Sequence, residues 1–136
     1  MPTRKWNPTV KLHLGDAPGL NLFTGYGADH LAINGTRHAG SLLVLPDRIE
    51  PWPPRDFDAL GEADFQRLLR LDVEIVLLGS GKKQRFPLPA HAALLLSAGI
   101  GLEAMDTPAA CRTFNILVAE GRKVAAAVIW GGDLGR

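Results

Sequence analysis

Residues 99–117 read GIGLEAMDTPAACRTFNIL. Within them Leu102–Met105 is a short apolar strand that empties into Asp106-Thr107-Pro108, where a helix begins. Asp106 or Thr107 is the right residue type to cap it, and Pro108 suits the first turn, where its missing N–H costs nothing. Ala110, Phe114, Leu117 and Val118 keep helical spacing as far as Glu120, and Gly121 stops the helix. A strand that runs into a helix N-terminus is a common seat for a ligand, because the first helical N–H groups have no partner within the helix. Cys111, Arg112 and Asn115 fall in the first turns of that helix, and Gly99-Ile100-Gly101 would let backbone approach closely. No catalytic motif is completed here.

The same alternation extends in both directions. Upstream, Val73–Leu78 (VEIVLL) is a β-branched strand that ends in Gly79-Ser80-Gly81. After the basic stretch Lys82–Arg85, Pro89 opens a helix over Ala90–Ala98 with Ala92, Leu95 and Leu96 inward, capped by Gly99. Ala59–Leu71 is helical, with Phe65, Leu68 and Leu69 on one face and Glu62, Asp64, Arg67 and Arg70 outward. Ser41–Leu45, closed by Pro46, reads as a central strand covered on both faces. Asp47–Pro54, with three prolines, reads as a loop, in which Trp52 either packs on the core or stands exposed as a binding anchor. Downstream, Val124–Trp130 (VAAAVIW) is the last strand, and its alanines suggest a helix close by. Such strand–helix alternation argues an α/β fold with helices on both faces of one sheet, joined by right-handed crossovers.

The first third is different. Val10–Leu14 alternates like a half-buried strand, Gly15–Gly19 is a turn cluster, and Asn21–Phe23 and Gly27–Ile33 are short strands broken at Gly25. Asn34-Gly35 is a strong hairpin signal, since a type I′ turn needs positive φ at both central residues. This region is therefore an antiparallel hairpin unit. The 136 residues make one domain, with a core over about 10–130, an N-terminal arm at 1–9 and a tail at 131–136.

Composition narrows the function classes. The 46% apolar share is that of a globular chain, and a net charge of +1 gives no strong pull toward nucleic acid or anionic membrane. One cysteine excludes an intrachain disulfide framework and fits a reducing compartment. MPTRKWNPTVKLHLG has no apolar core for secretion, and no apolar run approaches a membrane span. A cytoplasmic protein without membrane insertion is expected.

Three features invite chemistry, and each has a structural alternative. Gly79-Ser80-Gly81 beside Lys82 and Lys83 could cradle an anion. It lacks the spacing of a P-loop or a dinucleotide fingerprint, so a tight turn with solvated cations is the plainer reading. Cys111 beside Arg112 near a helix N-terminus has the setting for a lowered thiol pKa, yet small residues in a helix usually mean close packing. Glu103, Asp106, Arg112 and Asn115 crowd one strand–helix junction, either as a paired structural cluster or as a polar pocket for a carboxylate or amide. The four histidines are scattered, so no metal site and no cofactor are expected. Lys82, Lys83 and Arg85 form too small a patch, without interleaved aromatics, for nucleic acid.

The residues GSGKKQRFP, then GIGLEAMDTPAACRTFNIL and EGRKVAAAVI, carry a resemblance. The chain resembles the uncharacterised bacterial and archaeal domain family that includes mitochondrial complex I (NADH dehydrogenase) assembly factor three and an adipogenesis-associated protein. The match spans about residues 10–130, and MDT-x-AAC-R-T-[FY]-N-x-L is its specific pattern. Gly79, Gly81, Phe86, Pro87, Gly99, Gly101, Met105, Asp106, Thr107, Cys111, Arg112, Thr113 and Asn115 match by position. The resemblance implies a three-layer α/β domain around a mixed sheet of about five strands, with the last strand running against the others. It supplies no catalytic residues and leans away from an enzyme.

Three functions follow as expectations. The first is a non-enzymatic binding or assembly-accessory domain that works through protein contacts, with a protein partner, room for self-association, and an exposed apolar patch at Trp52 or the N-terminal strands. The alternative is a small-molecule or anion binder, or an undiscovered enzyme. Its pocket would be built from Gly79, Ser80, Gly81, Gly99, Gly101, Glu103, Asp106, Thr107, Cys111, Arg112 and Asn115. A thiol function at Cys111 is the third and weakest reading.

Overall fold

The computed structural model describes residues 19–131 together with the backbone strand Val10–Lys11. The remaining residues, including the expected arm, the Gly15–Pro18 turn and most of the tail, lie outside the described set.

The strands are β1 (Val10–Lys11), β2 (Phe23–Tyr26), β3 (His30–Ile33), β4 (Thr36–Ala39), β5 (Leu42–Leu45), β6 (Arg48–Pro51), β7 (Ile75–Gly79), β8 (Gly101–Met105) and β9 (Val124–Val128). The helices are α1 (Glu62–Leu69), α2 (Pro89–Ser97) and α3 (Thr107–Ala119). Strands β1–β4 form an antiparallel meander, and the five-stranded sheet has the order β6-β5-β9-β7-β8. The Asn34-Gly35 turn has φ of 51° and 83°, as a type I′ hairpin demands, and it sets Ile33 opposite Thr36.

Strand periodicity sorts the core into two halves. From the large sheet, Leu42, Val44, Leu77, Val124, Ala126 and Val128 face α3 and the small sheet. The intervening residues Leu43, Leu45, Val76, Leu78, Ala125 and Ala127 face α1 and α2. That division by alternate residues is the period of a pleated strand. The result is three layers: two helices, the mixed sheet, then α3 with the meander. Small side chains at Ala125–Ala127 let the central strand β9 pack on both sides, with Ala110, Cys111 and Phe114 of α3 against one of them.

The last strand departs from the expectation carried by the resemblance. β9 is parallel to β7, which is parallel to β8; β5 is the strand that opposes β9. The reason is topological, since a helical crossover returns the chain pointing the same way. From β7 the chain steps to one side through α2, and from β8 it steps back past β7 through α3. Helices on opposite faces are what two crossovers of one hand require when the steps reverse.

Two local expectations are also corrected, for the Asp47–Pro54 loop and for Leu96, and the alternatives for Trp52 are resolved toward packing. The proline-rich loop holds an edge strand, with Arg48–Pro51 pairing with β5. Charges and a terminal proline are tolerated at an edge, and Glu50 there pairs with Arg48 and with Arg67 of α1. Trp52 is 3% exposed and belongs to the core. Leu96 is 58% exposed rather than inward; His91 and Leu95 take the inner face, with the His91 ring stacked on Phe65 at 4.9 Å.

Candidate functional site

The expected site residues divide between the two ends of the parallel strands. Gly101 pairs with Ile75 at the amino end of β8, and Met105 pairs with Gly79 at its carboxyl end. Four residues of rise separate these ends by about 13 Å. Gly99 (φ 80°) and Gly101 therefore form a turn remote from Gly79, Ser80, Gly81, Asp106 and Thr107.

At the carboxyl end, Thr107 is the hub. Its backbone N–H donates to Gly81 O at 2.8 Å, and its hydroxyl accepts from Gly81 N at 3.0 Å. The same hydroxyl donates to Ile129 O at 2.8 Å. One buried threonine thus joins β7, α3 and the residue after β9. Gly79 must be glycine for this to fit: a Cβ there would lie 2.7 Å from Thr107 Oγ1 and 2.8 Å from Val128 Cγ1. Ser80 closes the next turn. Its Oγ accepts from Arg85 N at 2.9 Å and sits 2.6 Å from Lys83 O and 3.1 Å from Met105 O. The N–H groups of Ser80 and Gly81 are both spent on these locks, so they do not cradle an anion.

Asp106 caps α3 by accepting from Ala109 N at 2.8 Å. Cys111 is fully buried, and burial pushes its thiol well above the ordinary range, against a smaller pull from Arg112. A thiol held neutral in a core is inert, which removes the basis for thiol chemistry. Arg112 and Glu103 are exposed, and no ion pair joins Arg112 to Glu103 or Asp106 among the described residues. Glu103 stands on the edge strand, where its charge blunts the edge. Asn115 is buried and holds the backbone of Phe23, with Oδ1 accepting from Phe23 N and Nδ2 donating to Phe23 O, both at 2.8 Å. Cys111, Arg112 and Asn115 therefore do not share a pocket.

A cleft of about 580 Å³ does open beside the carboxyl ends of β7 and β9. Ser80 and Gly81 form one side, Ile129 and Trp130 another, and the Arg55–Asp58 segment the third. The sequence does not mark the Arg55–Asp58 segment as part of a site, and it offers Trp130 only as the end of a strand. They come from distant loops, and nothing in their local pattern marks them.

With the fold and cleft in place, comparison with known proteins locates the chain. Residues 23–129 match the family described as "Protein of unknown function (DUF498/DUF598)". The chain belongs to this family. A bovine member, named NADH dehydrogenase (ubiquinone) 1 alpha subcomplex assembly factor 3, is 31% identical over 122 residues, covering 88% of this chain and 66% of that protein. The chain thus spans just under two-thirds of that relative. A crystal structure of a Bordetella parapertussis protein superposes with a TM-score of 0.77 at 35% identity, covering 83% of this chain and 98% of that one. A Bordetella pertussis protein described as an Mth938-like domain gives 0.74 at 32% identity, covering 91% and 94%. The stretch Met105–Asn115 locks α3 to both sheets, through Thr107 on one side and Asn115 on the other.

Proposed function

We propose that the chain is an assembly-accessory domain that acts by protein contact through the outer face of α2. The observation that carries this is the chemistry of two neighbouring helices on one face of the sheet. α1 buries Phe65 and Leu68, exposes Glu62 and keeps Asp64 and Arg67 half-buried in polar contacts, so its outer side is charged. α2, PAHAALLLS, has no charged residue at all. Its inner side packs through Leu95, while Pro89, Ala93 and Leu96 form an exposed stripe at i, i+4, i+7. The segment leading into it adds Phe86, 72% exposed, and Leu88, 63% exposed. Large apolar groups gathered on one exposed segment are the mark of a surface that another protein covers. These exposed residues, with Trp52 buried, favour α2 over Trp52 as the seat of the expected patch. The bovine relative's name adds the assembly role. Among the described residues no helix is long and apolar enough to cross a membrane.

The test is native co-purification of the full chain from its own cells against the double variant Phe86→Asp/Leu96→Asp. A partner, or a second copy, retained by the wild type and lost by a variant of equal melting temperature is the expected result. Equal recovery from both would overturn the assignment to this face.

A further inference from the structure

We propose that the cleft at the carboxyl ends of β7 and β9 binds a small organic phosphate, independently of the α2 face. Ligands of open α/β sheets collect outside the carboxyl ends of parallel strands, and this cleft occupies that position. Its walls carry four cations, Arg55, Lys82, Lys83 and Arg85, against two carboxylates, Asp56 and Asp58. Both carboxylates are already engaged. Asp56 accepts from Ala59 N at 3.0 Å, and Asp58 pairs with Arg85 at 2.9 Å. Arg85 is further held 4.5 Å over the Phe57 ring. Arg55, Lys82 and Lys83 have no ion pair among the described residues.

Another cleft among the described residues makes a contrast. It measures about 420 Å³ and also carries three cations, Arg48, Arg122 and Lys123. There each cation is ion-paired, Arg48 with Glu50 (shared with Arg67), Arg122 with Glu74 and Lys123 with Asp72. Among the described residues the lining of the first cleft carries a net two positive charges, and three of its four cations have no ion pair. A phosphate monoester carries close to two negative charges near neutral pH, whereas a simple carboxylate carries one. Lys82 and Lys83 supply point charges, and Arg55 a planar fork, for such a group. The Phe57 ring, Ile129 and Trp130 add an apolar wall that an inorganic ion would leave unused.

The test is titration of the full chain with phenyl phosphate, inorganic phosphate and benzoate at constant ionic strength, read by backbone amide shifts. Saturable shifts at Arg55–Asp58, Ser80–Arg85 and Gly131 are expected with phenyl phosphate. It should bind about fivefold tighter than inorganic phosphate and about tenfold tighter than benzoate. The Lys82→Ala/Lys83→Ala variant should lose about tenfold in affinity at an unchanged melting temperature, and Arg55→Ala serves as a second variant if that one is unstable. Non-saturable shifts, shifts elsewhere, equal binding of all three probes, or full affinity in the folded lysine variant would each overturn the proposal.

Discussion

Asn115 on α3 reaches across the layer boundary and pairs both backbone polar groups of Phe23 on β2, each at 2.8 Å. A side chain here does for the small sheet what a neighbouring strand would do. The ring of Phe23 then meets Phe114 edge-to-face at 5.4 Å, so one helical turn holds this strand by its backbone and its side chain together.

Asn115→Leu should remove the clamp and leave a buried N–H and C=O at Phe23 unmatched. A loss of about 2–4 kcal/mol is expected in urea unfolding at neutral pH. A change under about 1 kcal/mol would mean that water or a shift of β2 replaces the clamp.

Gly79→Ala should cost about 1–3 kcal/mol, because its Cβ would press on Thr107 Oγ1 and Val128 Cγ1. Gly101→Ala is the contrast. Its nearest neighbour would be Glu74 O at 3.5 Å, an ordinary contact, so the cost should stay under about 0.5 kcal/mol or reverse sign. Thermal unfolding of the two variants side by side checks the difference.

Cys111 gives a pH dependence. Its folded pKa is raised by burial, so the neutral thiol is favoured in the native state. The contribution is fully present below the unfolded pKa of about 8.5 and is lost progressively above it, as the unfolded chain ionises first. Between pH 8 and 10 the wild type should lose about 2 kcal/mol relative to Cys111→Ala. Parallel stability curves for the two proteins would contradict a sealed thiol, as would rapid native labelling by a thiol reagent at pH 8.

Much of this arrangement is legible in the order of residues. The strand–helix alternation after residue 40, the Asn34-Gly35 hairpin, the cap at Asp106 and the stop at Gly121 are local signals with local causes. The edge strand Arg48–Pro51 is not legible, because an edge tolerates the charges and prolines that mark a loop. Leu96 misleads for the opposite reason: nothing in an uncharged helix says which of its apolar sides is inward. The candidate residues suggest one cluster because they flank consecutive strands and helices in the chain. Strand length places Gly101 and Gly79 at opposite ends, and helical geometry turns Cys111 inward while Arg112 faces solvent. Only the tertiary fold brings Arg55 and Trp130 to Ser80 and Lys83.

The most direct measurement is site-specific photo-crosslinking in the native cell, with a benzophenone side chain at position 86 or 96 and control positions at Gln66 and Arg112. Discrete adducts at 86 and 96, with neither control reacting, are the result expected of a domain that works by covering its uncharged helix with another protein. Adducts at the controls alone, or none above background at 86 and 96, would contradict it.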